Sequence, residues 1–452
     1  MSSGPAVDES QPASELRRRA VASGARFLVG SFLSRHGLGT LWGQLFVPAS
    51  AIVCQLLLIR VLPDHDANSF FVMLSTSMVA SVFSDFGQRN TIYTDVSGLR
   101  GGQLIAYVHH VYRARLINGL TVGTVAAAFA MLLASHSLTV AILFGVITAN
   151  LYQADPGTKL LCGKAMGSRE IPLSLLDRGL VIVGLSGMFW LGIQSLVFAL
   201  AIYVVAGCLR LWASVVSVEA HILQSERKRA KMEAEPDING DQHIASLGKN
   251  HFWAGLLLLL TMVNMRLPVL ILPAFDWQEY AAHFGILLAV CQSFVLLPTL
   301  VTRVLFPRSL FRDQDRAATS LLSNRVLLPG VGLCLSCGLL ASAMLYAFAA
   351  PLLSLLHPDY ATRPELLKLV SLTVPLICAI QFVRLLLTST GRAKALLLPI
   401  ATGTVLGFTA MMLLGLSQGP RGILFGYLIA ELTAVILGIS VARKQIRMAA
   451  TK

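Results

Sequence analysis

HFWAGLLLLLTMVNMRLPVLILP, residues 251–273, is an apolar run of 23 residues with one fully charged side chain, Arg266. At 1.5 Å per residue a helix of this length rises about 34 Å, enough to cross the hydrocarbon core of a bilayer. Runs of this kind recur along the whole chain. They fall at about 38–60, 69–87, 116–135, 138–155, 172–192, 195–217, 251–273, 280–302, 326–348, 366–388, 395–416 and 422–442. The composition agrees: 55% of the 452 residues are hydrophobic, only 13% are charged, and the mean hydropathy is +0.70. A soluble domain carries about twice that share of charge. The expected class is an all-α polytopic membrane protein of about twelve transmembrane helices, in two six-helix lobes around a central cavity.

The net charge of +13 raises the question of nucleic acid, and the position of the charges answers it. With the amino terminus inside, 28 of the 36 Lys and Arg fall in inner segments, four lie at the outer side and four within spans. That bias is the positive-inside pattern, so no nucleic-acid partner is expected and both termini are placed in the cytoplasm. Trp42, Trp212 and Trp253 fall at inner helix ends, and Trp190 and Trp277 at outer ends, where indoles settle at the headgroup level.

The reading divides the chain into a cytoplasmic tail at 1–37, lobes at 38–217 and 251–443, a charged linker at 218–250 and a tail at 444–452. The first tail holds Arg17, Arg18, Arg19 and Arg26 among Phe27, Leu28, Val29, Phe32 and Leu33, an amphipathic pattern suited to a membrane surface. It lacks the compact apolar core and small-residue cleavage site of a signal peptide. The linker carries Glu226-Arg227-Lys228-Arg229 and Glu235-Pro236-Asp237. In each lobe the first span ends in a short acidic outer turn, Pro63-Asp64-His65-Asp66 and Pro273-Ala274-Phe275-Asp276-Trp277. Two six-span repeats face the same way and are related by an axis along the membrane normal, with the substrate path between them.

A charged side chain deep in a bilayer costs about 2.5–3.5 kcal/mol on insertion scales, so it faces a cavity or a partner. Glu431, mid-way along the last span, and Arg266, beside Asn264 and ahead of Pro268, are the hardest to explain by snorkelling. Arg384, Arg210 and Arg178 lie nearer inner helix ends, where long stems reach the interface. Asp177 is positioned to pair with a neighbouring helix, and Asp85 and Asp155 end spans at the inner face. Gln44, Gln153, Gln292 and Gln381 add polar groups, and Pro48, Pro268, Pro298, Pro329, Pro375 and Pro399 interrupt helices. These features suit a bent, cavity-lining bundle and equally a passive one held by interhelical hydrogen bonds.

Six of the seven cysteines fall in apolar stretches and Cys162 in an inner loop; the Cys334-Leu-Ser-Cys337 pair, mid-helix with no polar partner nearby, reads as small packing residues. Asp85-Phe86-Gly87 mimics a kinase triplet without the glycine-rich or catalytic loops, and no phosphate-binding Walker loop occurs. The ten histidines show no metal-ligand spacing. No enzyme activity, cofactor or metal is expected.

Two stretches carry a family resemblance. Ser69-Phe70-Phe71 through Ser84-Asp85-Phe86-Gly87-Gln88-Arg89-Asn90 to Ser97 is one, and Asn264-Met265-Arg266-Leu267-Pro268 through Tyr280 to Phe306-Pro307-Arg308 is the other. They resemble the second span, and the seventh and eighth spans, of polysaccharide (O-antigen type) flippases of the multidrug/oligosaccharidyl-lipid/polysaccharide exporter superfamily. The chain carries Arg266 where many relatives of that family have an acid. The resemblance implies a protein of the bacterial inner membrane. It would move a polyprenyl-pyrophosphate-linked oligosaccharide from the cytoplasmic to the periplasmic face by alternating access. Its surroundings would be membrane lipids, with a polysaccharide polymerase and glycosyltransferases as partners. Arginine's planar fork suits phosphate, which makes Arg266, Arg384, Arg210 and Arg178 candidate pyrophosphate contacts. Glu431, Asp177, Asn264 and Gln292 are the candidate cavity or ion-coupling groups. The alternatives are an ion-coupled multidrug or metabolite exporter of the same superfamily, and a scaffold for glycan synthesis that transports nothing.

Overall fold

In the computed structural model, residues 35–85, 99–132, 137–151, 170–227, 240–296, 324–356, 362–390 and 392–450 are described, together with residues 92, 96, 156, 157, 160, 161, 298 and 360. The amphipathic segment before residue 35, Asp155 and the Phe306-Pro307-Arg308 stretch lie outside them. Among the described residues every regular element is helical. This is the expected outcome where water is absent, because a helix satisfies its backbone groups within one segment.

Each sequence-predicted span coincides with a helix. We number them α1 (Arg35–Val61), α2 (Asp64–Asp85), α3 (Gly101–Leu132), α4 (Leu138–Asn150), α5 (Glu170–Leu191) and α6 (Leu196–Val218). The second half holds α7 (Gly240–Leu270), α8 (Ala281–Ser293), α9 (Asn324–Ala347), α10 in two segments (Pro364–Ser371 and Val374–Ser389), α11 (Leu397–Gln418) and α12 (Pro420–Ala450). Nine stretches of the described residues are long and apolar enough to cross a membrane, and Ala49–Val61 and Leu138–Asn150 are shorter apolar helices. Trp190, Leu191, Leu398 and Leu416 are mostly exposed, which is stable only against lipid. The chain is a multi-pass membrane protein.

The helices associate in two groups. In the first, α1 packs on α5, α5 on α6, α6 on α4, and α3 on α4 and α2. In the second, α9 packs on α10, α10 on α12, α12 on α11, and α7 on α11 and α12. The groups meet where α7 packs on α2 and α8 packs on α1 and α2. Exchanging each helix for the one six positions along converts the α2–α7 contact into the α8–α1 contact, as the repeat predicts.

Close approach depends on missing side chains. A Cβ on Gly407 of α11 would lie 2.3 Å from the Ala430 Cβ of α12, and one on Gly426 would lie 2.4 Å from the Met411 nitrogen. Lipid offers no hydrophobic drive between helices, so small residues that let backbones approach supply the attraction as van der Waals contact.

The sequence placed residues 88–115 and 218–250 in inner loops, and much of both is helix. Helix α3 begins at Gly101, α6 continues through a π turn at Glu219–Leu223 to Arg227, and α7 starts at Gly240. The cause is a second apolar cluster, separate from the main core. In it Leu104, Tyr107, Val108 and Val111 of α3 meet Leu160, Leu161, Val218, Ile222 and Leu223. The Gly101 N–H, at a φ of +54° that favours glycine, donates to Glu226 Oε2 at 2.7 Å and ties the two extensions together.

Gly407→Val should force α11 and α12 apart, an overpacking cost of about 1–3 kcal/mol. The thermal midpoint of the detergent-solubilised protein should fall. Gly332→Val, whose added carbon would meet nothing within 4 Å, should leave it in place.

Candidate functional site

The eight candidate residues separate into two clusters, one in each lobe. Glu431 lies eleven residues into α12, roughly 16 Å along its axis. It is 3% exposed and accepts a hydrogen bond of 2.8 Å from Asn264 Nδ2 of α7. The glycine–alanine seam just described lets this happen. Ala430, Glu431's neighbour, lies against Gly407, so α11 sits close and the carboxylate turns toward α7. A small cavity is lined by both residues with Thr261, Gln381, Arg384 and Ile377. Arg384 therefore shares the cavity with Glu431, whereas the hydrogen bond to the carboxylate comes from an amide.

Helix α7 is modified where it carries this group. Pro268 has no N–H to give the Asn264 carbonyl, so the α-helical ladder is interrupted one turn above the site. Gln292 of α8 donates to the Met265 carbonyl at 2.9 Å, bracing the same turn from outside. Arg266, two residues beyond Asn264, is buried as well. Three of the candidates, Asn264, Gln292 and Glu431, thus form one connected set, with Arg266 beside it and Arg384 across the cavity. Two acceptors there, Asn264 Oδ1 and Gln381 Oε1, are buried without a hydrogen-bond partner among the described residues. Acceptors left over around a carboxylate suit a small cation or a proton more than an anion.

In the other lobe Asp177 of α5 takes Arg210 Nη1 of α6 at 3.2 Å and Arg178 Nε at 3.6 Å on the same oxygen, Oδ2. One carboxylate oxygen thus serves two guanidiniums from adjacent helices. Arg178 is further fixed through its backbone, because the Cys54 thiol of α1 donates to the Arg178 carbonyl at 3.9 Å. The four arginines are therefore not gathered in one place. Arg178 and Arg210 belong to α5 and α6, and Arg266 and Arg384 to α7 and α10.

Sequence reasoning missed two residues. Arg115, left in a loop ahead of the third span, is 2% exposed and among the largest fully buried side chains. Its signal was present: Tyr107, Val111 and Arg115 are spaced four apart on one helical face. Tyr427, fully buried one turn before Glu431 on α12, carries a hydroxyl on the face of that carboxylate. Among the described residues no three His, Cys, Asp or Glu side chains form a group that could hold a metal ion.

Glu431→Gln keeps an acceptor for Asn264 and should unfold at nearly the wild-type temperature. Asn264→Ala removes the donor from a buried carboxyl group, at about 1–3 kcal/mol, and should lower the midpoint measurably. Thermal unfolding of the two variants side by side checks the pair.

No family model and no curated protein matches this sequence. Solved structures do resemble the fold. The eukaryotic MATE transporter AtDTX14 is 13% identical, with 95% of this chain and 99% of that one aligned at a TM-score of 0.67. A multidrug resistance MATE family transporter of the MOP superfamily in an inward-facing conformation is 12% identical over 91% of this chain and 99% of that chain, at 0.63. An outward-facing conformation of a multidrug resistance MATE family transporter aligns at 0.53, with 13% identity over 97% and 94%. The chain has the fold of the MATE transporters of the MOP superfamily.

Proposed function

We infer that the chain is a transporter that works by alternating access and moves a polyprenyl-pyrophosphate-linked oligosaccharide across the bacterial inner membrane, from the cytoplasmic to the periplasmic face. The likeness to transporters solved facing inward and facing outward supports a two-lobe mechanism. The observation that carries the cargo class is the presence of arginines within the bundle. Four arginines, Arg178, Arg210, Arg266 and Arg384, lie on α5, α6, α7 and α10 within the bundle. Guanidinium groups in low dielectric suit an anionic ligand, and the planar fork of arginine matches a pyrophosphate oxygen pair.

On this reading a pyrophosphate entering between the lobes competes with Asp177 for Arg178 and Arg210, and meets Arg266 and Arg384 on the opposite side. The glycan occupies the space between the lobes while the lipid tail stays in the bilayer. Glu431, with spare acceptors at Asn264 and Gln381, is the group that exchanges a driving cation. A polymerase and glycosyltransferases are the expected neighbours on the two faces.

A cation-coupled multidrug exporter is the second reading, favoured by that same acceptor-rich cavity and by the solved neighbours. Deletion of the gene separates the two. Lipid-linked oligosaccharide accumulating in the cells, with surface polysaccharide lost, is the outcome expected. Intact polysaccharide with increased sensitivity to cationic drugs would favour the exporter. Complementation with Arg266→Ala should yield normal protein levels and no surface glycan; wild-type glycan from that variant would overturn the arginine assignment.

A further inference from the structure

The two lobes are joined at one end of the bundle, the outer end in the charge-based orientation. Ala282 is the second residue of α8, where backbone N–H groups have no acceptor within their own helix. Its N–H donates to Asn68 Oδ1 at 2.8 Å, and Asn68 lies in the first turns of α2, in the other lobe. Asn68 therefore caps a helix of the opposite lobe. One turn deeper the pattern repeats by shape. Gly285 has no side chain, and a Cβ there would lie 2.1 Å from Phe71 Cδ1. Asn68 and Phe71 are three apart on α2, and Ala282 and Gly285 are three apart on α8, so the two rungs stack on one seam. Beside them Arg60 Nη2, at the end of α1, donates 2.9 Å to the Leu355 carbonyl, in the short helix Ala349–Leu356.

This seam is continuous with the Glu431 cluster. Gln292 is two turns beyond Gly285 on α8, and its amide holds the Met265 carbonyl. The neighbouring residue Asn264 holds Glu431. Helix α7 packs on α2 as well, so the helix that carries Asn264 borders both sides of the seam. Pro268 removes a backbone hydrogen bond from α7 between the cluster and the seam end, where the helix bends most easily.

We propose that the Asn68–Ala282 and Phe71–Gly285 rungs are the gate that closes this end of the molecule, and that Gln292 links the gate to the Asn264–Glu431 pair. For the lobes to part here, α8 must surrender its cap and the Phe71 ring must leave the Gly285 notch. Both contacts are lost together, which makes the end open or closed rather than graded. A change at Glu431 reaches the gate through α7 and Gln292 by altering the balance of those two states. The assignment rests on the two-lobe transporter reading but is independent of the cargo.

The test is pulsed electron–electron distance measurement on full-length, cysteine-free protein in lipid nanodiscs, with no cargo added. Spin labels at Asp64 and Glu279, both exposed at the gated end, report opening; labels at His110 and Lys444 report the opposite end. The parent protein should give a short Asp64–Glu279 distance. Asn68→Ala and Phe71→Ala should each raise the ratio of long to short distances about fivefold, the shift expected for one net hydrogen bond or its packing equivalent. Asn68→Asp keeps the acceptor and should stay closed. Gln292→Ala and Glu431→Gln should move the ratio with both rungs intact. Distributions identical to the parent in Asn68→Ala and Phe71→Ala would overturn the gate. Opening in those two with no change in Gln292→Ala or Glu431→Gln would overturn the link. Because no cargo is present, either result leaves the anionic-cargo reading to be judged by the glycan assay.

Discussion

A peptide N–H or C=O without a partner in hydrocarbon costs several kcal/mol, and this chain is arranged around that penalty. It accounts for the helical state of every regular element described, and it gives meaning to the few places where the helices depart from regularity. Pro268 interrupts α7 beside Asn264, and α8 begins at the membrane level with a cap from another lobe instead of its own. A backbone group without its intrahelical partner in this setting marks where two helices are coupled or where one can bend.

The same penalty governs the charges. Asp177 holds two arginines on a single oxygen, and Glu431 accepts a hydrogen bond from an amide in a cavity that Arg384 also lines. The two lobes thus treat their acids differently. In the first, the carboxylate is an interior counter-ion shared by two arginines. In the second, it lies in a small acceptor-rich cavity next to a weakened helix.

The grouping of the loops at two ends of the bundle receives an internal check from contacts that no span assignment could have anticipated. Arg421 pairs with Glu365, and Arg363 lies over the Tyr280 ring; all four were placed at the outer side. Lys394 lies over Trp253, and Arg392 donates to the Gln445 carbonyl; all four were placed at the inner side. A single missing or extra span in the intervening sequence would have put these partners at opposite ends. Where the reading fell short was in helix length. Tyr107, Val108 and Val111 are interspersed with His109, His110 and Arg113, so a hydropathy window passes over them. Only their packing against Ile222 and Leu223, more than a hundred residues away, shows that α3 begins well before its apolar run.

The amino-acid sequence alone determined the class, the order of the apolar helices and which ionisable residues fall within them. Each of these follows from a local quantity, the length of apolar chain that a bilayer requires or the energy of placing a charge within it. The tertiary structure decided which groups meet. That Arg178 and Arg210 share Asp177, that Asn264 reaches Glu431, and that Asn68 caps α8 depend on helix rotation and close approach. Rotation is set by small residues such as Gly407 and Gly285, whose partners lie far along the chain. Hydropathy, which averages over a helix, carries no record of which face is turned inward.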